Sequence, residues 1–138
     1  IPLIRFNLKD MMMVRDEPCP CGRTSVRVDQ VGGRVDDLRK IRGVFFTPAV
    51  VAEVIRGKFP EVTEFETHLT QEEVMPVLTL RVEFDPSIGE GQWKELRGRI
   101  REQLKIRSNL TFEIEVVKPG GLPRYTLKSS RFKDLTKK

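Results

Sequence analysis

A small α+β sandwich is the fold class this sequence predicts: a three-stranded, mainly antiparallel sheet with two helices, preceded by β-hairpin segments. Three observations predict it. Residues 62–70 and 77–84 alternate apolar with polar side chains, the period of a half-buried strand. Two other stretches, one after Pro48 and one from Trp93 to Leu104, repeat apolar residues at helical spacing. A third alternating run, residues 111–117, follows the second of these, so the elements come in the order strand-rich start, helix, two strands, helix, strand.

Composition narrows the function. The chain has 138 residues, enough for one domain with its own core, or a small domain plus part of another. Its 25 basic and 20 acidic residues are interspersed, so the net charge of +5 favours anionic ligands without the basic stripe of a nucleic-acid binder. No stretch approaches the roughly 18 apolar residues of a membrane span, and charges at Arg5, Lys9 and Asp10 break any leader-like run. Cys19 and Cys21 are separated by one proline, a spacing that seldom forms a disulfide, so a reducing cytoplasm is the expected location.

The elements follow in order. Residues 3–6 and 11–14 read as two short strands about a polar turn, marginal alone and expected to join a larger sheet. Residues 16–23 hold two of the chain's prolines and a glycine and read as a loop, followed by a strand with Val26, Val28 and Val31 on one face. The run Gly32-Gly33-Arg34-Val35-Asp36-Asp37 suits a swivel, and the domain boundary is placed there, with residues 1–35 and 36–138 on its two sides. Residues 38–42 and 44–46 read as a small hairpin. Thr47 is the expected N-cap and Pro48 the first helical position of a helix ending near residues 57–60. In the alternating strand that follows, Glu64, Glu66 and His68 fall on the polar, solvent-facing side. The stretch 120–131 reads as a glycine- and proline-rich loop that holds up Lys128, a point charge suited to a phosphate or a developing oxyanion.

Most side chains of catalytic type are absent in useful combinations. His68 is the one histidine, and without a placed Ser or Cys nucleophile no catalytic triad is expected within this chain. Cys19-Pro20-Cys21-Gly22 could supply two thiolates to Zn2+, but a tetrahedral site needs two further ligands from elsewhere.

The spacing of Gly33-Arg34-Val35-Asp36-Asp37 before Gly43 resembles the hinge motif of the adenylate-forming superfamily, the acyl-CoA synthetases and their relatives. Ile4-Arg5-Phe6 with Asp10 is similar to the segment that closes their large N-terminal domain, and residues 119–128 resemble their catalytic-lysine loop. Cys-Pro-Cys-Gly-Arg at 19–23, Arg42-Gly43-Val44, Phe46-Thr47-Pro48 and Leu122-Pro123-Arg124 are most similar to the phenylacetate-CoA ligases.

That resemblance implies roles for individual residues. Asp10 matches the acid that binds the ribose hydroxyls of ATP, and Arg34 the arginine that contacts the nucleotide. Asp36 falls at the hinge, Gly43 at the glycine that lets the pantetheine of CoA pass, and Lys128 at the lysine that bridges carboxylate and α-phosphate. ATP with Mg2+, CoA and a small carboxylic acid are the implied ligands, and the absent N-terminal adenylation domain is the implied partner. A second copy in a homodimer is an open alternative. Residues 1–35 would be the trailing edge of that large domain, residues 36–138 the C-terminal swivelling domain, and this chain alone is expected to be inactive. Leu127 replaces a glycine common before the lysine, and Phe45 an arginine found in many acetyl-CoA synthetases. Two other readings stand beside this one: a non-catalytic ferredoxin-like module binding a small ligand, and an adenylating relative that does not use CoA.

Overall fold

The computed structural model describes residues 7–72, 75–125 and 131–136, apart from the side chain of Asp36. It divides into two compact units, Ile1–Leu38 and Arg39–Lys138. Among the described residues no helix is long and apolar enough to cross a membrane.

The first unit is a hairpin. Strand β1 (Asp10–Arg15) pairs antiparallel with β2 (Arg27–Arg34), and two register irregularities interrupt the ladder. The partner of residues 11–14 is therefore the strand after the cysteine loop, and the expected partner, residues 3–6, lies outside the described residues. Met12, Met13, Val14, Val28 and Val31 remain exposed on this two-stranded ribbon. A 3₁₀ turn at Val35–Asp37 follows.

In the second unit β3 (Arg39–Ile41) and β4 (Val44–Phe46) form the expected small hairpin. Its two turn residues, Arg42 and Gly43, have φ of 50° and 83°, the paired left-handed conformation that closes two-residue hairpins. Arg42 tolerates this while donating from Nε and Nη2 to the Pro76 carbonyl at 3.0 and 2.8 Å. Helix α1 runs Ala49–Lys58. Pro48 already has helical dihedrals and the Thr47 carbonyl accepts from the Val50 N–H at 3.1 Å, but no side chain caps the helix. The cap expected from Thr47 is thus a backbone one.

Strands β5 (Val62–Glu72) and β6 (Met75–Phe84) form a long antiparallel pair. Helix α2 (Glu90–Ser108) then crosses back, and β7 (Phe112–Val117) lies parallel to β6. A fourth strand, β8 (Phe132–Asp134), pairs parallel with β5, so the sheet has the order β7-β6-β5-β8. The expected three-stranded, mainly antiparallel sheet is corrected to a mixed one of four strands, with one antiparallel and two parallel pairings. Strand β8 is three residues long, too short for alternation to register. It is drawn in by Phe132, whose ring meets Phe46 at 6.1 Å.

The two faces of this sheet differ in chemistry. On one, Phe65, Leu69, Leu80, Val82, Phe112 and Ile114 pack with Val51, Val54 and Ile55 of α1 and Leu96, Ile100 and Leu104 of α2. Burying such side chains contributes roughly 1.5–3 kcal/mol each before entropy, which accounts for the helix layer on this side. The other face carries Glu64, Glu66 and His68 of β5 and Arg81 and Glu83 of β6, and in the structure it too is covered.

Candidate functional site

Covering the charged face is the chain after β7. Lys118 and Pro119 lead into Gly120 at φ 81°, and the Gly121 N–H returns to the Lys118 carbonyl at 2.9 Å. A Cβ on Gly121 would stand 2.6 Å from Val117 Cγ1 and 2.9 Å from that carbonyl oxygen, so the turn admits no side chain there. Leu122 is buried and pins the turn, and Arg124 and Tyr125 carry the chain over the sheet.

Three buried glutamates receive it. Glu83, fully buried, accepts from the N–H groups of Gly120 at 3.2 Å and Leu122 at 2.5 Å and from Arg124 Nη1 at 2.8 Å. Glu66, also fully buried, accepts from the Tyr125 hydroxyl, His68 Nε2 and Lys133 Nζ, the last at 3.0 Å, with Arg81 Nη1 at 3.6 Å. Glu64 takes both arms of Arg131, Nε at 2.8 Å and Nη2 at 3.1 Å. The same Arg131 Nη2 donates to the Tyr125 carbonyl at 2.8 Å, and the guanidinium lies 5.5 Å from the Phe65 ring centre and 5.8 Å from that of Tyr125.

Burial alone would raise the pKa of each acid, because a charged carboxylate is poorly solvated there. Hydrogen bonds and nearby cations outweigh it in all three. For Glu66 the Tyr125 hydroxyl, Lys133 and His68 take the value from 4.5 to about 2. Arg131 and the Phe65 N–H hold Glu64 down, and the Leu122 N–H, Arg124 and the Gly120 N–H do so for Glu83. All three are therefore anions at neutral pH.

Within the strands Glu66 faces Arg81 of β6, its register partner, at 3.6 Å, but the other two acids face each other. Glu64 and Glu83 are register partners, directly opposite on one face, where like charges repel. Each is matched separately by the covering chain, Glu64 by Arg131 and Glu83 by Arg124 and two peptide N–H groups. The expectation that Glu64 and Glu66 face solvent is corrected, and so is the exposed placement of His68, which is half-buried against Glu66. Alternation identifies which residues share the face but not that a segment some 40 to 70 residues later covers it. The signal available is the pairing in number of buried acids with Arg124, Arg131 and Lys133 on both sides of the loop.

The site residues expected from the sequence are distributed as follows. Lys128 lies within 126–130, outside the described residues; the described chain on both sides of it is the anchored chain above. Asp10 and Arg34 are register partners at the open end of the β1–β2 hairpin. Asp36 falls in the 3₁₀ turn. Gly43 is at the tip of the β3–β4 hairpin, where a Cβ would meet nothing within 4 Å, so its side is open.

Cys19 and Cys21 bring their sulfurs to 2.9 Å in a turn closed by the Gly22 N–H on the Cys19 carbonyl. The Cys21 thiol is lowered by its bond with Cys19 and by the Arg23 N–H. Among the described residues no three His, Cys, Asp or Glu side chains converge as a metal site would require. Two sulfurs supply half of a tetrahedral zinc shell, so these residues by themselves do not fit Zn2+.

Comparisons with known proteins find relatives of this chain. Residues 43–136 match the family described as AMP-binding enzyme C-terminal domain. The phenylacetate-coenzyme A ligase of Thermus thermophilus is 30% identical over 139 residues, covering 90% of this chain and 31% of the relative. That of Escherichia coli is 26% identical, covering 98% of this chain and 31% of the relative. The chain thus spans less than a third of the length of these curated relatives. Among solved structures, a 2-hydroxyisobutyryl-CoA ligase in its postadenylation state with R3-HIB-AMP superposes with a TM-score of 0.74 at 27% identity, covering 91% of this chain and 27% of that one. A domain of phenylacetate-coenzyme A ligase from Bacteroides vulgatus gives a TM-score of 0.64 at 28% identity, covering 74% of this chain and 95% of that domain. With its mixed sheet, two helices and carboxylate-anchored loop, the chain belongs to the AMP-binding enzyme C-terminal domain family.

Proposed function

We propose that this chain serves as the C-terminal domain of an AMP-forming acid–thiol ligase of the phenylacetate-CoA ligase type. In the first half-reaction a carboxylate oxygen attacks the α-phosphorus of ATP, forming an acyl-adenylate and releasing pyrophosphate. In the second the CoA thiol attacks the acyl carbon and AMP leaves with the bonding pair of the mixed anhydride. The observation that carries this reading is the anchoring of the chain on both sides of Lys128 to three buried glutamates, in a domain of this family.

Lys128 has a physical task in the first step. Two anions, carboxylate and α-phosphate, must approach, and an ammonium held beside both offsets their repulsion and the charge that develops. Asp10 would accept from the ribose hydroxyls and Arg34 would donate to the nucleotide. In the second step Gly43 would leave room for pantetheine, its missing side chain and left-handed backbone both suiting a narrow passage. Asp36 would be the pivot between the two arrangements, with residues 1–35 the end of the large domain and residues 36–138 the swivelling one. The large N-terminal domain would supply the ATP and acid pockets, and Mg2+ would arrive with the triphosphate.

The test joins this domain to its large partner and offers phenylacetate. Pyrophosphate release that depends on the acid, then a thioester on adding CoA, is the expected result. Pyrophosphate without thioester would favour the relative that adenylates without CoA. No acid-dependent pyrophosphate with any small carboxylate tried would remove the ligase reading in favour of a binding module.

A further inference from the structure

We infer that the Glu64–Arg131 pair is a positioning clamp for Lys128, acting on adenylation and not on thioester formation; this rests on the role proposed for Lys128. Tyr125 and Arg131 are the described residues on either side of the stretch 126–130. One guanidinium ties them together: Arg131 is bonded through Nε and Nη2 to Glu64 on the sheet and through Nη2 to the Tyr125 carbonyl at 2.8 Å. Arg131 is 9% exposed and Glu64 6%, so water competes little for these bonds.

The arrangement is a costly way to make a stable sheet. A buried ion pair is often no more stabilising than well-packed apolar side chains of the same volume, because both charges must be desolvated. Here the cost is compounded, since Glu64 faces Glu83 across the strand pair. What the pair does supply is direction. A bidentate guanidinium–carboxylate contact fixes a plane, and the third bond fixes the position of the Tyr125 carbonyl within it. The clamp therefore sets the two ends of the lysine-bearing segment relative to the sheet, and Glu83 with Arg124 sets its approach. A misplacement of about 1 Å in a group that stabilises a transition state costs on the order of 100-fold in rate. Gly43, by contrast, lies on the β3–β4 hairpin, which makes none of the clamp's three bonds.

The experiment uses the assembled enzyme with phenylacetate, ATP and CoA, and phenylacetyl-adenylate supplied separately. Arg131→Lys keeps the charge and removes the fork. It is expected to slow pyrophosphate release by about 10-fold to 100-fold while thioester formation from supplied adenylate stays within about 2-fold of wild type. Because the effect runs through the lysine, adding Arg131→Lys to Lys128→Ala should lower adenylation by less than about 2-fold more. Arg124→Gln, at a side chain 60% exposed and so removable without opening the core, should slow adenylation several-fold with the same selectivity. If Arg131→Lys fails to melt cooperatively, Glu64→Gln, which keeps the side chain's shape and leaves Arg131 its bond to the Tyr125 carbonyl, decides by the same split between the two half-reactions. Equal losses in both half-reactions, effects additive with Lys128→Ala, or unchanged adenylation in a folded variant would overturn the clamp. Unchanged adenylation in Lys128→Ala alone would overturn the lysine assignment instead, a separate outcome.

Discussion

Glu66 shows what a buried acid needs in order to stay charged. Its carboxylate is fully buried, yet a phenol, an ammonium and an imidazole all point at it, and its pKa falls to about 2. The sign of the pH dependence follows: a folded-state value below the ordinary 4.5 adds stability that is complete above pH 4.5 and is lost as pH falls toward 2. Glu64 and Glu83, both also lowered, act in the same direction. Glu66→Gln is expected to cost about 3–5 kcal/mol at pH 7, as breaking a buried pair does. The gap to wild type should narrow as pH falls below 4.5 toward 2; urea melts across that range check it. A gap that stayed constant with pH would mean Glu66 is not held as an anion. At this scale the sequence is legible only in part. The face of Glu64 and Glu66 is readable from alternation, but their burial depends on Tyr125, Arg131 and Lys133, distant in sequence, and periodicity carries no information about such partners.

The elements that hold residues 120–125 are the β5–β6 pair, through Glu66 and Glu83, and the turn at residues 118–121. Gly121 has no room for a methyl group, since its Cβ would lie 2.9 Å from the Lys118 carbonyl oxygen, a backbone atom that cannot rotate aside. Gly121→Ala should therefore cost about 1–3 kcal/mol through strain and loosen the Glu83 contacts to Gly120 and Leu122. Thermal melting of the domain measures the first, and pyrophosphate release in the assembled enzyme the second. A variant as stable as wild type would show that the turn relaxes freely. Helices α1 and α2 and strands β5, β6 and β7 are all readable from apolar spacing, since each buries one continuous face in a single core. Strand β8 is not. Its three residues are recruited by backbone pairing to Thr67–Leu69 and by Phe132 against Phe46, both long-range effects.

At the scale of the whole molecule, the second unit is a sheet with an apolar side that makes the fold and a charged side covered by residues 120–125 and by Arg131 and Lys133. The family is shown by residues 43–136, whereas the chain spans 31% of the Thermus thermophilus ligase, so the proposed activity depends on a domain that supplies ATP and acid. The motifs at Gly33 to Gly43 and at 119–128 make the family legible because they are local in sequence. The glutamate anchoring is not legible, because it is assembled from β5, β6 and the loop together. The decisive measurement is a pair of single-turnover rates for Lys128→Ala in the assembled enzyme: phenylacetate-dependent pyrophosphate release, and phenylacetyl-CoA formation from supplied phenylacetyl-adenylate. Pyrophosphate release is expected to fall by about 100-fold or more, with thioester formation within about 3-fold of wild type. Adenylation near the wild-type rate, with only the thioester step impaired, would contradict the role given to Lys128.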